Sequence, residues 1–458
     1  MKVWGWIGLG GVLLAGIGLG KGLGQELTAK QRAARDSGWR ATMRQELYIP
    51  KKLPPLEAKT WSTFSPMVGV LAERVTYRTA DGMLVPAIVY RPDPAVARWR
   101  GKLPGIVVVN GHGGDKFSWY AFYSGMLFAK AGAMVVTYDP IGEGERNSER
   151  RSRAGSHDAV VPMPAGVKAG VTSEEWAQDW GQRLAGLMQV DVMQAAAYLA
   201  ARPEVDSKRI AGVGYSMGAF VLGLTGAMLP GDGVAGDREA AEGWPRMHAV
   251  VLSGGGVFDE VGPGYFDASR LPCQGPPMRS LRGLGDRAAV LYDLNADRGP
   301  MLVMNGGADA VMDMAHHPPE WFAAVRARAV ALRGTEKDMF TTVVYAGIGH
   351  RTSWVNKDGV EWLDRQIHFA LWSEREIAAA PVTHISTWAK ANGVDITSNY
   401  MREDREGGLD AVGTGFPGLQ RKELMVLPEA EWTARKDELT YEAWAAKTVR
   451  RQAAGNRE

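Results

Sequence analysis

Gly214-Tyr215-Ser216-Met217-Gly218 has the spacing G-x-S-x-G. A serine hydroxyl is a weak nucleophile unless it is held exposed beside a base. A sharp turn from a buried strand into a helix holds it so, and glycines let the backbone fold tightly around it. The flanking residues meet that condition. Arg209–Tyr215 reads as a short buried strand, and Ala219–Leu229 as an apolar helix. The Met217 N–H, at the positive start of that helix, then points to where an oxyanion would form.

A nucleophile of this kind needs a base and a group that orients the base, in the chain order serine, acid, histidine. The strand Met301–Asn305 runs into Gly306-Gly307-Ala308-Asp309. Asp309 is the preferred acid because it lies nearer the strand end, and Asp313 is its rival. The strand Thr341–Tyr345 runs into Ala346-Gly347-Ile348-Gly349-His350. Of the eight histidines, His350 follows the last sheet strand in a glycine-rich loop and is the expected base. A second oxyanion donor is expected from Gly113 and Gly114 in the run Asn110-Gly111-His112-Gly113-Gly114-Asp115. His112 and Tyr215 are candidates to touch substrate, with a structural role as the alternative for His112. This chemistry calls for no metal and no cofactor.

The surrounding elements alternate in kind. Ile106–Asn110 and Ala133–Tyr138 are continuous apolar runs, as expected of strands buried on both faces. Trp119–Ala131, ending at Gly132, and Glu174–Ala201, stopped by Pro203, have helical spacing. Val75–Thr79 and Leu84–Arg91 flank Ala80-Asp81-Gly82, a hairpin signal. Further helices are expected near Glu320–Ala331 and Val360–Trp372. This alternation implies a mainly parallel sheet with helices on both faces. Residues 25–70 read as an extended, Pro-containing lead-in, 71–372 as the catalytic domain, and 373–458 as a C-terminal extension, either packed or mobile.

The chain has 458 residues with 53 basic and 51 acidic side chains, a balance that excludes an electrostatic nucleic-acid binder. Its one cysteine, Cys273, excludes an intramolecular disulfide and any cysteine-based zinc cluster. Residues 1–24 read as a secretory signal. Lys2 gives a positive start, Val3–Gly20 carries no charge, and Gly22 and Gly24 suit cleavage before Gln25. A secreted or periplasmic location follows, without stable membrane insertion after cleavage. An uncleaved N-terminal anchor is the alternative.

The runs Asn110–Asp115, Tyr138-Asp139-Pro140-Ile141-Gly142-Glu143-Gly144-Glu145-Arg146, Arg202–Ile210, the serine turn and the Asp309 and His350 loops together resemble the α/β-hydrolases. Within that group they resemble the acetyl-xylan-esterase-like and dienelactone-hydrolase-like branch. The resemblance covers about residues 70–372 and implies an α/β-hydrolase fold and a Ser216–Asp309–His350 hydrolase acting on small or carbohydrate esters such as acetylated xylan. Dienelactone hydrolases use a cysteine nucleophile, and here the position is Ser216, which argues against that substrate. A prolyl-oligopeptidase-like serine peptidase is the alternative, although such enzymes carry a large N-terminal propeller. A binding protein on a hydrolase scaffold would need a broken triad. Gly142–Thr172 reads as a solvated loop whose arginines, Arg146, Arg150, Arg151 and Arg153, are balanced by Glu143, Glu145 and Glu149. If it covers the site instead, those arginines could meet an acidic substrate. Trp119, Trp176, Trp180 or Trp354 could stack on a sugar ring.

Overall fold

The computed structural model describes residues 27–152, 157, 161–163, 171–230, 243–258, 271–350, 352, 354–384, 387, 390, 391, 410–413 and 415–454. The expected signal, residues 1–24, lies outside them, as do Arg153 and much of the 142–172 loop.

A nine-stranded sheet runs in the order β1-β2-β3-β5-β4-β6-β7-β8-β9. Its strands are β1 (Lys59–Met67), β2 (Val70–Arg78), β3 (Leu84–Pro92), β4 (Leu103–Val109), β5 (Met134–Tyr138), β6 (Val205–Tyr215), β7 (Ala249–Ser253), β8 (Met301–Gly306) and β9 (Thr341–Tyr345). β1, β2 and β3 pair antiparallel, as does β3 with β5. From β5 through β9 every pairing is parallel. The strand pleat divides the core in two. Val107 and Val109 of β4 face one layer, with α3 (Ser173–Ala201) and α4 (Met217–Met228). Ile106 and Val108 face the other, with α2 (Trp119–Ala131) and the helix Lys357–Ile367. α3 is long and apolar enough to cross a membrane, but it is a buried core helix here.

The lead-in departs from expectation. β1 is extended as read, but residues 29–46 form a helix, α1, started by a reciprocal cap between Thr28 and Gln31. Its buried face consists of Asp36, Arg40 and Met43, so an apolar period is hardly visible in the sequence. Ion pairs dock it beside the buried Met43: Arg35 meets Asp293 at 2.7 Å and Arg40 meets Asp297 at 2.7 Å. Gly186 of α3 admits the end of α1, since a Cβ there would lie 1.9 Å from the Leu47 carbonyl oxygen.

The described C-terminal residues are packed. Trp444 is fully buried, contacts Trp180 at 5.1 Å and donates to Asp81 at 2.8 Å. Arg421 pairs with Asp115 at 2.6 Å. Glu145 accepts the Val426 and Leu427 N–H groups at 2.7 and 3.0 Å, and its carbonyl accepts the Trp432 indole N–H at 2.9 Å.

Gly142–Thr172 does not begin as a solvated loop, and Arg146 and Arg150 are not open to an acidic substrate. Glu143, Glu145 and Arg146 are fully buried. Arg146 pairs with Asp191 on α3, and Arg150 with Glu429. Lys116 bridges Asp139 at 2.5 Å and Glu145 at 2.9 Å. Burial, reinforced by Asp115 and Glu145, pushes the Asp139 carboxyl up to about 6 despite Lys116. The folded state therefore binds this proton more tightly than the unfolded chain. The associated stability is present below the ordinary carboxylate range and is lost as pH rises through about 6. At Asp115 burial also raises the pKa, but Arg421 and Lys116 outweigh it and hold the carboxyl below its ordinary value.

Replacing Glu145 by Ala leaves the Val426 and Leu427 N–H groups without their acceptor and takes one of the two carboxylates from buried Lys116. Glu145→Ala is expected to destabilise the protein by about 3–5 kcal/mol. Urea unfolding checks this, together with new proteolytic cleavage near residues 421–432. A variant with wild-type stability would contradict the anchoring role.

Candidate active site

The serine turn is built by close approach. β6 carries the chain outward between β4 and β7, and α4 starts at Met217. Between them Ser216 has φ 54° and ψ −119°, a region costly for a residue with a Cβ. Its N–H donates to the Ser253 carbonyl at 2.9 Å, tying the strained residue to β7. A Cβ on Gly214 would lie 2.5 Å from the Gly218 carbonyl oxygen. A Cβ on Gly218 would lie 2.2 Å from the Val109 carbonyl oxygen and 2.6 Å from that of Asn110. Both glycines are thus dictated by backbone contact, and Gly218 seats α4 against the end of β4.

The acid and histidine loops lie side by side. A Cβ on Gly306 would meet the Gly349 and Ile348 carbonyl oxygens at 2.1 and 2.2 Å. The Gly307 N–H donates to Tyr345 at 2.7 Å and the Ala308 N–H to Ile348 at 2.9 Å. Asp309 Oδ1 accepts the Val311 and Met312 N–H groups at 2.8 and 2.9 Å. Its Oδ2 lies 2.7 Å from His350 Nδ1, and His350 Nε2 lies 2.8 Å from Ser216 Oγ. A carboxylate only accepts, so Nδ1–H donates, leaving Nε2 to accept the serine hydroxyl. Asp309 is 1% and His350 7% exposed, so bulk water barely weakens this chain of bonds.

Asp313 is not brought to the histidine. Both of its oxygens contact His316 Nδ1, at 2.8 and 2.9 Å, on an exposed turn. Met217 is the first residue of α4, where an N–H has no intrahelical partner. Gly113 has φ 75°. Gly114 departs from expectation, because its N–H donates to the Gly111 carbonyl at 3.0 Å. That bond closes a local turn and takes up the donor proposed for an oxyanion. Tyr215 is 4% exposed, stacked on Tyr120 at 4.2 Å and packed against His350 at 5.2 Å, so it braces the imidazole. His112 is half-buried beside the expected donor loop, with His157 as a ring neighbour at 5.1 Å. The four tryptophans proposed for sugar stacking are all buried, between 0% and 4% exposed. Trp354, for example, donates to Ser124 in the core at 2.9 Å.

Two supports escaped the sequence reading. Asn305 clamps Gly255 by accepting its N–H and donating to its carbonyl, both at 2.9 Å. Thr352 Oγ1 lies 2.9 Å from Ser253 Oγ, linking the histidine loop to β7. Their types carry no chemical signal, since each acts by fixing backbone.

Comparison with solved structures decides the fold. Methylesterase BT1017 matches over 93% of this chain and 77% of its own, with TM-score 0.56 and 19% identity. The chain has an α/β-hydrolase fold. Acetyl xylan esterase from Paenibacillus sp. R4 is similar over 75% of this chain and 96% of its own, with TM-score 0.46 and 15% identity. Glucuronoyl esterase from Solibacter usitatus is similar over 75% and 93%, also with TM-score 0.46 and 15% identity. No protein-family model and no curated protein matches the sequence. The antiparallel β1–β3 edge, the parallel strands beyond it and the turn between β6 and α4 are the parts of this hydrolase fold that present Ser216.

Because Asp309 touches His350 and Asp313 does not, the two aspartates are expected to differ sharply. Asp309→Asn is expected to lower kcat for an ester substrate by about 10⁴-fold, through loss of the productive tautomer. Asp313→Asn is expected to change it less than about threefold, or under about 0.7 kcal/mol in the barrier, because Asp313 contacts His316 and not His350. Steady-state kinetics of both folded variants decide. A greater loss at Asp313 would reverse the assignment.

Proposed function

We propose that this protein is a serine carboxylic-ester hydrolase working through an acyl-enzyme. The observation that carries the reading is the continuous contact from Asp309 through His350 to Ser216, at 2.7 and 2.8 Å. In the proposed reaction Ser216 Oγ attacks the ester carbonyl carbon while His350 Nε2 takes its proton. The N–H groups of Met217 and Gly113 stabilise the oxyanion, each worth roughly 3 kcal/mol in the transition state. The intermediate collapses, the carbon–oxygen bond of the ester breaks, and His350 protonates the departing alcohol. Water then repeats the sequence, releasing the acid and restoring Ser216. Asp309 keeps the imidazole in the required tautomer throughout.

The proposed substrates are short-chain or carbohydrate esters. The name of methylesterase BT1017 directs attention to methyl esters beside acetyl esters. The positive start at Lys2 and the uncharged, glycine-rich run Val3–Gly20 support export, to the periplasm or outside the cell.

The test is hydrolysis of p-nitrophenyl acetate, butyrate and octanoate, and of methyl and acetyl esters of sugars, by the chain from Gln25. Acetate is expected to turn over fastest, and Ser216→Ala to lose at least about 10⁴-fold in kcat with unchanged circular dichroism. A folded wild-type chain that cleaves none of these esters would sink the reading.

A further inference from the structure

A second cluster of reactive side chains lies outside the serine–histidine–aspartate chain. The ligating atoms of His112, His157 and Cys273 all lie within 4.8 Å of one another. They come from three separate segments: the loop after β4, the stretch after β5, and the turn before the helix Gly275–Ser280. Glu143 lies beside the cluster, with Oε1 3.8 Å from His157 Nδ1. His157, Cys273 and Glu143 are each fully buried, whereas His112 is half-buried.

We propose that His112, His157 and Cys273 form a metal site for a divalent ion of the zinc class. Two imidazoles and one thiolate suit a borderline-soft ion that prefers four ligands, the fourth being water or an approaching carboxylate. The Cys273 thiolate offsets part of a dication's charge, and the buried Glu143 carboxylate beside His157 offsets more. Bonds of about 2.0–2.3 Å set tetrahedral ligands roughly 3.3–3.8 Å apart. The three ligating atoms, within 4.8 Å of one another, reach that by side-chain shifts of about an ångström.

The backbone is shaped for this gathering. Gly142 has φ 86°, and a Cβ there would lie 3.0 Å from both Cβ and Nδ1 of His157. A Cβ on Gly181 would lie 2.6 Å from the Pro272 carbonyl oxygen, so that glycine seats the segment carrying Cys273 on α3. A single cysteine excludes a site made of several cysteines, but it leaves open a mixed set whose members are far apart in sequence. The proposed role is structural. His112 precedes Gly113, so an ion held here ties the candidate oxyanion loop to two neighbouring segments. Cys273 and His157 are positioning residues for that loop through the ion and touch no reacting atom.

The experiment uses the tag-free chain from Gln25, stripped with a chelator and titrated with Co²⁺. One equivalent per chain is expected to bind, with near-ultraviolet thiolate-to-cobalt charge transfer, and Zn²⁺ is expected to displace it. Cys273→Ala is expected to abolish the charge-transfer absorption. His157→Gln is expected to weaken binding by more than the roughly 10–100-fold typical of an outer-shell partner. Circular dichroism checks that each variant is folded, and His157→Gln carries the comparison if Cys273→Ala does not fold. Uptake without charge transfer in the wild-type chain, no uptake, or equal affinity in wild type and His157→Gln would overturn the proposal.

Discussion

The site depends on one backbone contact. Gly218 lies so close to the Val109 and Asn110 carbonyl oxygens that no side chain fits between them. That approach seats α4 against the end of β4 and fixes where Ser216 must turn. Ser216 then occupies a region that costs about 1–3 kcal/mol, tolerated because neighbouring structure over-determines it. The bond to the Ser253 carbonyl and the packing of Gly214 on Gly218 supply that constraint. A relaxed turn would let the hydroxyl point back into the core, away from His350. The same contact places the loop beginning at Asn110 beside the first turn of α4, so the proposed nucleophile and the candidate oxyanion donors are set by one junction.

Around that junction, charge fixes what apolar packing cannot. The sheet and its helices bury ordinary aliphatic side chains, and the segments outside the central unit add ion pairs to their apolar contacts. α1 is held by Arg35–Asp293 and Arg40–Asp297, and the C-terminal segment by Arg421–Asp115 and the Glu145 carboxylate. Lys116, Asp139 and Glu145 lie beneath the donor loop as a buried three-membered network. Loss of Lys116 would leave both carboxylates without their cation away from water, a larger penalty than an exposed pair would carry. The terminal segments are thus part of the scaffold that holds the loops after β4 and β5.

The central sheet was legible because β4 and β5 are continuous apolar, largely β-branched runs, and because glycine or proline ends α2 and α3. The chain order of Ser216, Asp309 and His350 was legible because each follows a readable strand end. α1 was hidden because Asp36 and Arg40 form much of its buried face. The helix Arg287–Arg298 was missed for a similar reason, since Arg287, Asp293, Asn295 and Arg298 are among its buried residues. The Gly114 bond is a local turn that glycine spacing alone does not specify. Burial of Tyr215 depends on Tyr120 from α2, and the gathering of His112, His157 and Cys273 joins segments more than 40 positions apart. Both are products of tertiary packing, which spacing along the chain does not encode.

The central claim is that the turn after β6 makes Ser216 Oγ a nucleophile through His350. The most direct measurement is mass spectrometry of the chain from Gln25 after reaction with a fluorophosphonate. The expected result is one covalent adduct per chain, mapped to Ser216 and formed at least about 10³-fold more slowly in a folded His350→Ala variant. No adduct, an adduct on another residue, or labelling of Ser216 at an unchanged rate without His350 would contradict the account.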